Sequence, residues 1–438
     1  MQVSPLPRDD STNGWTALLV PPPKPARLSG VQRAHYAVIG AGVAGLAAAR
    51  RLGELKPNSR IILLEAQRVG ECSSGRNSGF IIDLPHEAES LSEAAVEHQL
   101  RVLRLNRFAI GRLRELVNRH GIDCEWAERG MYRGAVTEEA ARFLDPYEQM
   151  IKRLGVSCTR VSRQELHQRL GSSLYCEAIH SPGTILVQPA ALVRGLARSL
   201  PPNVELYENA PVTSLNRERG IEIDTPGASV VVDKLVLAVN GLLPAFGFMR
   251  NRLINLGLWA SITRVLTKDE LALLGNEDNW GMTPADARGG ITMRRLATGR
   301  LLLRAITYPE PHYRPHTRDL PRIRALHCRI LERRFPQLAP LNIEHTWTGF
   351  VSKSWNAAPA FGEVASNIYS ACVDNGVGLA RGTYHGELVA DLVAGEPHDL
   401  LRDMLAQPRP SQLPPEPFTT WGARAQITWL EYISRGER

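Results

Sequence analysis

The sequence has little that would suit an oxidising compartment or a membrane. Its six cysteines include no C-x-x-C pair, so neither a zinc site nor a disulfide framework is indicated. No run of about 18 apolar residues is present that could span a bilayer. The first residues, MQVSPLPRDDSTNGW, lack the charged and then apolar pattern of a secretory signal. We therefore expect a cytoplasmic protein without a transmembrane segment and without a bound metal.

Lysine is also scarce. Only six of the 52 basic residues are lysines, so 52 − 6 = 46 are arginines, and the formal net charge is +7. The arginines are scattered and form no basic run interleaved with aromatic residues, which argues against a nucleic-acid partner. The excess reflects either a general bias toward arginine or the attraction of an anionic small molecule.

The most informative motif is HYAVIGAGVAGLAAARRLGEL. A short apolar strand at 35–39 leads into a GxGxxG turn, and an alanine-rich helix is predicted over 44–55. RIILLEA adds a second buried strand that ends at Glu65, 20 residues after the last glycine of the turn. The turn itself consists of Gly40, Ala41, Gly42, Val43, Ala44 and Gly45.

Each of these residue types has a physical reason in a dinucleotide site. Gly40 permits the tight turn, Gly42 lets backbone N–H groups reach a pyrophosphate, and Gly45 lets helix and strand pack closely. The helix N-terminus attracts the phosphates, and Glu65 can accept hydrogen bonds from a ribose. The alternative is a glycine turn that only packs. DNGVGLARG, which begins at Asp374, is not assigned as a second such site because no acid-terminated strand follows it.

A second unusual stretch is SSGRNSGF, residues 73–80. It holds two glycines, three serines and an asparagine around one arginine. Such small residues allow the backbone to approach a flat ligand, and the single cation can stabilise an electron-rich ring or a phosphate. The alternative is an ordinary glycine turn with a surface arginine.

The order of the motifs resembles a known superfamily. GxGxxG, an acid that ends the second strand, the Gly/Ser-Arg-Asn loop, a V-x-P-A helix start, an A-x-N-G strand end and a C-terminal glycine turn are found in this order in the D-amino-acid oxidase and glycine oxidase superfamily of FAD-dependent amine oxidoreductases. GECSSGRNSGF is most similar to the loop of its gamma-glutamylputrescine oxidase-like members, which carry a G-x-S-G-R-N-G-G version. The resemblance covers roughly residues 15–400.

The resemblance implies an α/β fold in which a Rossmann-type FAD-binding domain, discontinuous in sequence, carries a second α+β substrate domain with an antiparallel sheet. We expect residues 1–34 to be a proline-rich N-terminal arm and 397–438 a tail that docks on the protein's own surface as an amphipathic helix. The FAD-binding domain is predicted to comprise 35–90, 175–245 and 345–396. The substrate domain is predicted to comprise 91–174 and 246–344.

The resemblance also assigns the cofactor, FAD, to particular residues. Because neither Cys72 nor Ser354 supplies the attachment point used in some relatives, non-covalent binding is expected. The residues implied in FAD binding are Gly40, Gly42, Val43, Ala44, Gly45, Glu65, Ala66, Ser73, Ser74, Arg76, Asn77, Val212, Asn240, Gly241, Asn375, Gly376, Val377, Gly378 and Leu379.

The implied reaction is oxidation of an amine or amino acid to an imine, with a hydride equivalent passing to flavin N5. Asp83 and His86 in IIDLPHE are candidate substrate contacts, although His86 alone is more typical of a loop. In MRRLATGRLLLRA, Arg294 and Arg304 are candidate carboxylate clamps or else surface arginines. Trp355 and Asn356 are expected at the flavin edge, and Arg76 beside the flavin.

Two other functions stay open at this point. A flavoenzyme of the same fold could act on a hydroxy acid, or the chain could be a non-catalytic FAD-binding subunit. Electrons are expected to leave to oxygen or to another acceptor. Only Lys268 and Lys353 lie between residues 246 and 360, so a lysine that activates oxygen over the flavin is not evident.

Overall fold

The computed structural model describes residues 1–85, 91–218, 220–286 and 289–437. Its strands are β1 (Gly30–Ile39), β2 (Ile61–Leu64), β3 (Phe80–Ile81), β4 (Met131–Ala135), β5 (Thr159–Ser162), β6 (Glu177–Ser181), β7 (Ile185–Leu186), β8 (Val204–Tyr207), β9 (Ser214–Asn216), β10 (Ile221–Thr225), β11 (Ala228–Leu237), β12 (Ile254–Thr263), β13 (Trp280–Pro284), β14 (Thr292–Leu296), β15 (Arg300–Pro309), β16 (Ile343–Lys353), β17 (Ala360–Ala365) and β18 (Ile368–Cys372).

Its α-helices are α1 (Gly14–Ala17), α2 (Val43–Leu55), α3 (Ser73–Arg76), α4 (Glu93–His120), α5 (Glu138–Ala141), α6 (Leu144–Arg153), α7 (Arg163–Leu170), α8 (Pro189–Arg198), α9 (Lys268–Ala272), α10 (Leu320–Arg334), α11 (Gly378–Ala394), α12 (Asp399–Leu405) and α13 (Phe418–Ile433). Short 3₁₀ turns occur at Asn240–Phe246, Thr317–Asp319, Pro336–Leu338 and Arg435–Glu437.

The first sheet carries the Rossmann-type core. Its strand order is β17-β18-β11-β1-β2-β8, with β10 and β9 added beyond β11. The neighbours of β1 and β2 are parallel to them, and β18 is parallel to β11. Because the central strands are covered on both faces, they are continuous apolar runs, as in the fully buried Ile61–Leu64. The buried apolar residues of α2, α4, α8 and α11 join this core.

The second sheet has the order β16-β12-β15-β14-β13-β4-β6-β5 and is antiparallel except for the β13–β4 pair. It confirms the predicted antiparallel sheet. Its core includes Trp280, Met282, Leu303 and Phe335. The predicted fold class is therefore confirmed in both of its parts.

The predicted domain boundaries need two corrections. β6 and β16, which we had placed in the FAD-binding domain, pair into the second sheet. Conversely, α4, which we had placed in the substrate domain, shares the hydrophobic core of α2 and α11. A single sequence shows that a segment is a strand or a helix but not which sheet or core it joins.

The two chain ends pack on the domains. The arm is largely irregular apart from α1, and β1 begins at Gly30 rather than at the predicted residue 35. The tail runs through α12 and a proline-rich segment to α13, which packs against β12 and β15 and confirms the predicted docking. Among the described residues, no helix combines the length and apolar character that crossing a bilayer requires.

Candidate active site

One cavity of about 720 Å³ runs from the GxGxxG turn to the inner face of α13. This volume lies within the usual range for small-molecule sites, about 300–1,000 Å³. The first sheet and α2 form one end, and β12, β14 and β15 of the second sheet form the other. The sequence motifs thus meet a large cavity at the junction of the two sheets.

The glycine turn has the geometry that its residue types predict. Gly40 has φ +97°, a left-handed conformation that favours glycine. A Cβ on Gly45 would lie 1.7 Å from the carbonyl oxygen of Gly40, so helix and turn could not pack as they do. A Cβ on Gly42 would lie 2.8 Å from Ser74 Oγ, and Gly42 lines the cavity. Gly45 itself does not line the cavity, in agreement with its predicted packing role.

Glu65 supports this turn from the end of β2. Its carboxylate accepts hydrogen bonds from the backbone N–H groups of Ala41 at 2.7 Å and Gln67 at 3.0 Å. Burial raises the pKa of Glu65, and these backbone N–H groups oppose that rise. Glu65 lines the cavity together with Ala66 and Val212, so its free lone pairs are available to a ribose hydroxyl there.

The SSGRNSGF loop forms the short helix α3 and lies directly on the glycine turn. Ser74 Oγ accepts a hydrogen bond from the Val43 N–H at 3.0 Å, which joins the two motifs. The Asn77 side chain donates to the Ser74 carbonyl at 2.7 Å and accepts from the Gly79 N–H at 2.8 Å. Ser73 Oγ is buried on the cavity wall and has no hydrogen-bond partner among the described residues.

Arg76 lines the cavity, but most of its guanidinium is bound within the protein. Its guanidinium forms ion pairs with Asp9 at 3.0 Å and Asp10 at 2.7 Å, and it donates to the carbonyls of Glu71 and Thr348. The side chain is only 2% exposed. Four of its five N–H groups are therefore used within the protein. The loop does line the cavity, but its arginine binds the arm.

The C-terminal glycine turn closes the opposite side. Asn375 and Gly376 have φ +51° and +90°, and α11 begins at Gly378. The Asn375 side chain accepts from the Ser354 N–H at 2.9 Å and donates to the Ala357 carbonyl at 2.9 Å. The predicted residues Asn375, Gly376, Val377, Gly378 and Leu379 all line the cavity.

The A-x-N-G strand end behaves in part as predicted. Asn240 lines the cavity, accepts from the Val373 N–H at 3.0 Å and donates to Asp374 Oδ2 at 3.1 Å. Gly241 does not line the cavity. A Cβ there would lie 2.2 Å from Asn255 Oδ1, so Gly241 is required by packing and not by contact with a pyrophosphate.

Three predicted substrate contacts lie elsewhere. Arg294 is 1% exposed and donates to the carbonyls of Ser78 and Gly79, each at 3.1 Å, and of Val187 at 2.7 Å. Arg294 thus holds the end of the SSGRNSGF loop in place and does not line the cavity. Asp83 is buried beside Arg107 and is likewise absent from the cavity wall.

Asn356 was expected at the flavin edge, but it does not line the cavity. Its side chain bonds to the backbone of Arg409 and Ser411 in the tail, at 3.0 and 3.1 Å, so it anchors the tail. Trp355 does line the cavity, at its mouth, where it is 68% exposed. His86 lies outside the described residues.

Arg304, like Arg76, is a predicted arginine that lines the cavity. It lies on β15 and its Nη2 donates to Thr292 Oγ1 at 2.5 Å. No carboxylate pairs with it among the described residues, and burial lowers its pKa to about 10. The bulge at Ile306, with φ +64°, also turns Ile306 and Thr307 toward the cavity. Lys353 lines the cavity as well.

Among the cavity residues that the sequence reasoning missed, two groups lie near the chain ends. One is in the arm, where Val3, Pro5, Leu6 and Pro7 line the cavity and two aspartates bind Arg76. The other is the inner face of α13, whose spacing of three and four residues was visible in the sequence although its target was not. That face consists of Ala423, Gln426, Ile427, Leu430 and Glu431, followed by Ser434.

Comparisons with known proteins agree with this geometry. The chain is 26% identical over 399 residues to the gamma-glutamylputrescine oxidoreductase of Escherichia coli strain K12, covering 88% of this chain and 90% of that protein. It is 26% identical over 378 residues to the probable oxidoreductase OrdL of Haemophilus influenzae strain Rd, covering 84% and 85%. The crystal structure of glycine oxidase from Geobacillus kaustophilus has the same fold, with a TM-score of 0.71 at 21% identity, covering 86% of this chain and 99% of that one.

The sequence profile of the family described as "DAO: FAD dependent oxidoreductase" matches residues 35–392. This range contains the glycine turn, Glu65, the SSGRNSGF loop, both sheets and the C-terminal glycine turn. The shared order of these motifs around one cavity has a single explanation: this chain belongs to the DAO family of FAD-dependent oxidoreductases.

Proposed function

We propose that this protein oxidises an amine that carries a carboxylate, such as an amino acid, to the corresponding imine. The observation that carries the proposal is Arg304, a cation on the cavity wall without a carboxylate partner among the described residues. Arg304 is half-buried, and a cation that is partly removed from water without a counter-ion is costly unless an anion joins it. An arginine fork is well suited to bind a carboxylate with two parallel hydrogen bonds.

The cradle fits FAD. Ser73 Oγ is a buried polar atom on the cavity wall that has no hydrogen-bond partner among the described residues. Gly42 lines the cavity without a side chain, and a Cβ there would lie 2.8 Å from Ser74 Oγ. The N-terminus of α2 offers N–H groups to a pyrophosphate. Glu65 would hold the ribose, and the turn at Asn375 to Leu379 would contact the flavin end. FAD supplies the acceptor for the hydride equivalent when it is bound.

The residues of this chain then bind and orient the substrate. Arg304 would hold the carboxylate, and this fixes the direction in which the adjacent amine-bearing carbon points. Leu256, Leu258 and Ala260 of β12 form an apolar wall that limits water around the reacting carbon. The substrate loses a proton from nitrogen and a hydrogen with its bonding electron pair from carbon. The two electrons finally pass to oxygen or another acceptor.

The names of the relatives support the substrate class. Gamma-glutamylputrescine oxidoreductase and glycine oxidase are both named for amines. All six thiols of this chain are free, as is usual for the cytoplasm, which we propose as its compartment. Burial raises the pKa of the Cys72 thiol on the cavity wall, so it is a weak nucleophile, which supports non-covalent FAD.

The test is anaerobic reduction of the bound flavin by matched substrates. Each amino acid is compared with the amine that lacks its carboxylate and with the hydroxy acid that lacks its nitrogen. We expect bleaching of the flavin absorbance by amino acids at concentrations well below those needed for the simple amines. Bleaching by hydroxy acids alone would contradict the proposal, and so would no bleaching by any of the three classes.

A further inference from the structure

The N-terminal arm, residues 1–34, lies outside the family profile, which begins at residue 35. Nothing in the family description therefore assigns it a role. Yet two of its segments lie at the cofactor site. Residues 3–7 supply lining residues of the cavity near Val212, and residues 9–15 contact the SSGRNSGF loop.

The first residues of the arm extend the sheet and form part of the cavity wall. Gln2 bridges to Ser214, the first residue of β9, and the Val3 N–H donates to the Thr213 carbonyl at 2.8 Å. Val3 is buried. This fixed segment brings Val3, Pro5, Leu6 and Pro7 to the same cavity as Glu65, Ala66, Ala210 and Val212.

Residues 9–15 of the arm bind the SSGRNSGF loop and the residues before it through charged and polar side chains. Asp9 and Asp10 form the ion pairs with the buried Arg76. Asn13 donates to the carbonyls of Gly70 at 2.9 Å and Gly75 at 3.2 Å. Trp15, which is fully buried, donates its indole N–H to the Asn77 carbonyl at 2.7 Å. These bonds fix the backbone of the loop from residue 70 to residue 77.

We propose that residues 3–15 form a strap that retains FAD. Residues 3–7 would cover the adenosine half of the cofactor, and residues 9–15 would hold the SSGRNSGF loop in its closed position. The pyrophosphate cradle alone would leave the cofactor open at the end near Val212. With the strap in place, release of FAD requires that the arm detach and that the pairs between Arg76 and its two aspartates separate. The strap thus acts mainly on the rate of FAD release and not on the reaction.

The test uses the FAD-loaded protein and measures flavin in the ultrafiltrate over time after dilution. The first variant is Asp9→Asn with Asp10→Asn, which keeps the shape of both side chains and removes their charges. The second is a deletion of residues 1–7, which leaves both aspartates in place. Asp278→Asn is the matched control. It breaks a surface ion pair between Asp278 and Arg129, whose charged atoms are 3.2 Å apart, and neither residue lines the cavity.

We expect FAD release to be about tenfold faster in each arm variant, equivalent to about 1.4 kcal/mol, and unchanged in the control. The double Asn variant leaves the buried Arg76 without its carboxylate partners, so it should lower the melting temperature of the FAD-free protein. FAD release is therefore measured well below the melting temperature of every variant. Unchanged release in both arm variants would overturn the proposal. Partial unfolding of the arm variants at the assay temperature, seen as loss of the near-ultraviolet circular dichroism spectrum, would also overturn it, since the arm would then only support the fold.

Discussion

Replacing Arg304 by glutamine isolates the charge that the proposed function depends on. Glutamine can still reach Thr292, but it carries no charge. A hydrogen bond to a charged partner contributes about 1.5–3 kcal/mol, and each 1.4 kcal/mol is about a factor of ten in affinity. We therefore expect KM for amino acids to rise roughly ten- to 150-fold in Arg304→Gln. Amines without a carboxylate should react with nearly unchanged KM in the variant.

The fold should tolerate this change. Arg304 has no carboxylate partner among the described residues, so its removal leaves no buried anion unpaired. Because burial lowers the pKa of Arg304 to about 10, the cation is unfavourable in the folded state at neutral pH. The melting temperature of Arg304→Gln should thus equal or exceed that of the wild type.

The assay is stopped-flow reduction of the flavin under anaerobic conditions at varied substrate concentration. Arg300→Gln is the matched control: Arg300 lies on the same strand, pairs with Glu344 and does not line the cavity. An equal loss for amino acids and simple amines in Arg304→Gln would refute a carboxylate clamp. An unchanged KM for amino acids would refute it as well.

Three further predictions concern the cofactor. Acid precipitation should release FAD into the supernatant, and colour that stays with the pellet would disprove non-covalent binding. Gly42→Val should abolish FAD retention, because even a Cβ there lies 2.8 Å from Ser74 Oγ; the flavin-to-protein absorbance ratio after gel filtration measures this, and a ratio equal to that of the wild type would contradict it. Glu65→Ala should weaken FAD binding by about ten- to 150-fold, from a loss of about 1.5–3 kcal/mol, and titration of the FAD-free protein by fluorescence would show no change if Glu65 only packs.

The parts of the site that the sequence predicts well are those built by neighbours in the chain. The glycine turn and the end of β2 depend on local backbone geometry, so Gly40, Gly42 and Glu65 could be placed without the fold. The C-terminal turn at Gly376 was predicted for the same reason. A turn that requires a positive φ leaves its mark in the sequence as glycine or asparagine.

The parts that could not be predicted depend on distant partners. Arg76 lines the cavity, but its ion pair with Asp10 joins residues 66 positions apart, and no local pattern links them. Arg294 and Arg304 lie on paired strands and differ only in their position along the sheet, since Thr292 pairs with Arg304 and Arg294 pairs with Leu302. The SSGRNSGF loop covers Arg294, whereas Arg304 lies on the cavity wall. Sheet register of this kind is set by the whole fold.

Helix α13 lines the cavity, but it lies outside the part of the chain that forms the cofactor site. The helix lies beyond residue 392, where the family profile ends, and none of its residues is buried, while Trp421, Trp429 and Tyr432 point to solvent. Exchanging residues on its inner face would alter the shape and polarity of the substrate chamber at little cost to the core. Selection for a new substrate can therefore change this helix while the residues that bind the cofactor stay the same.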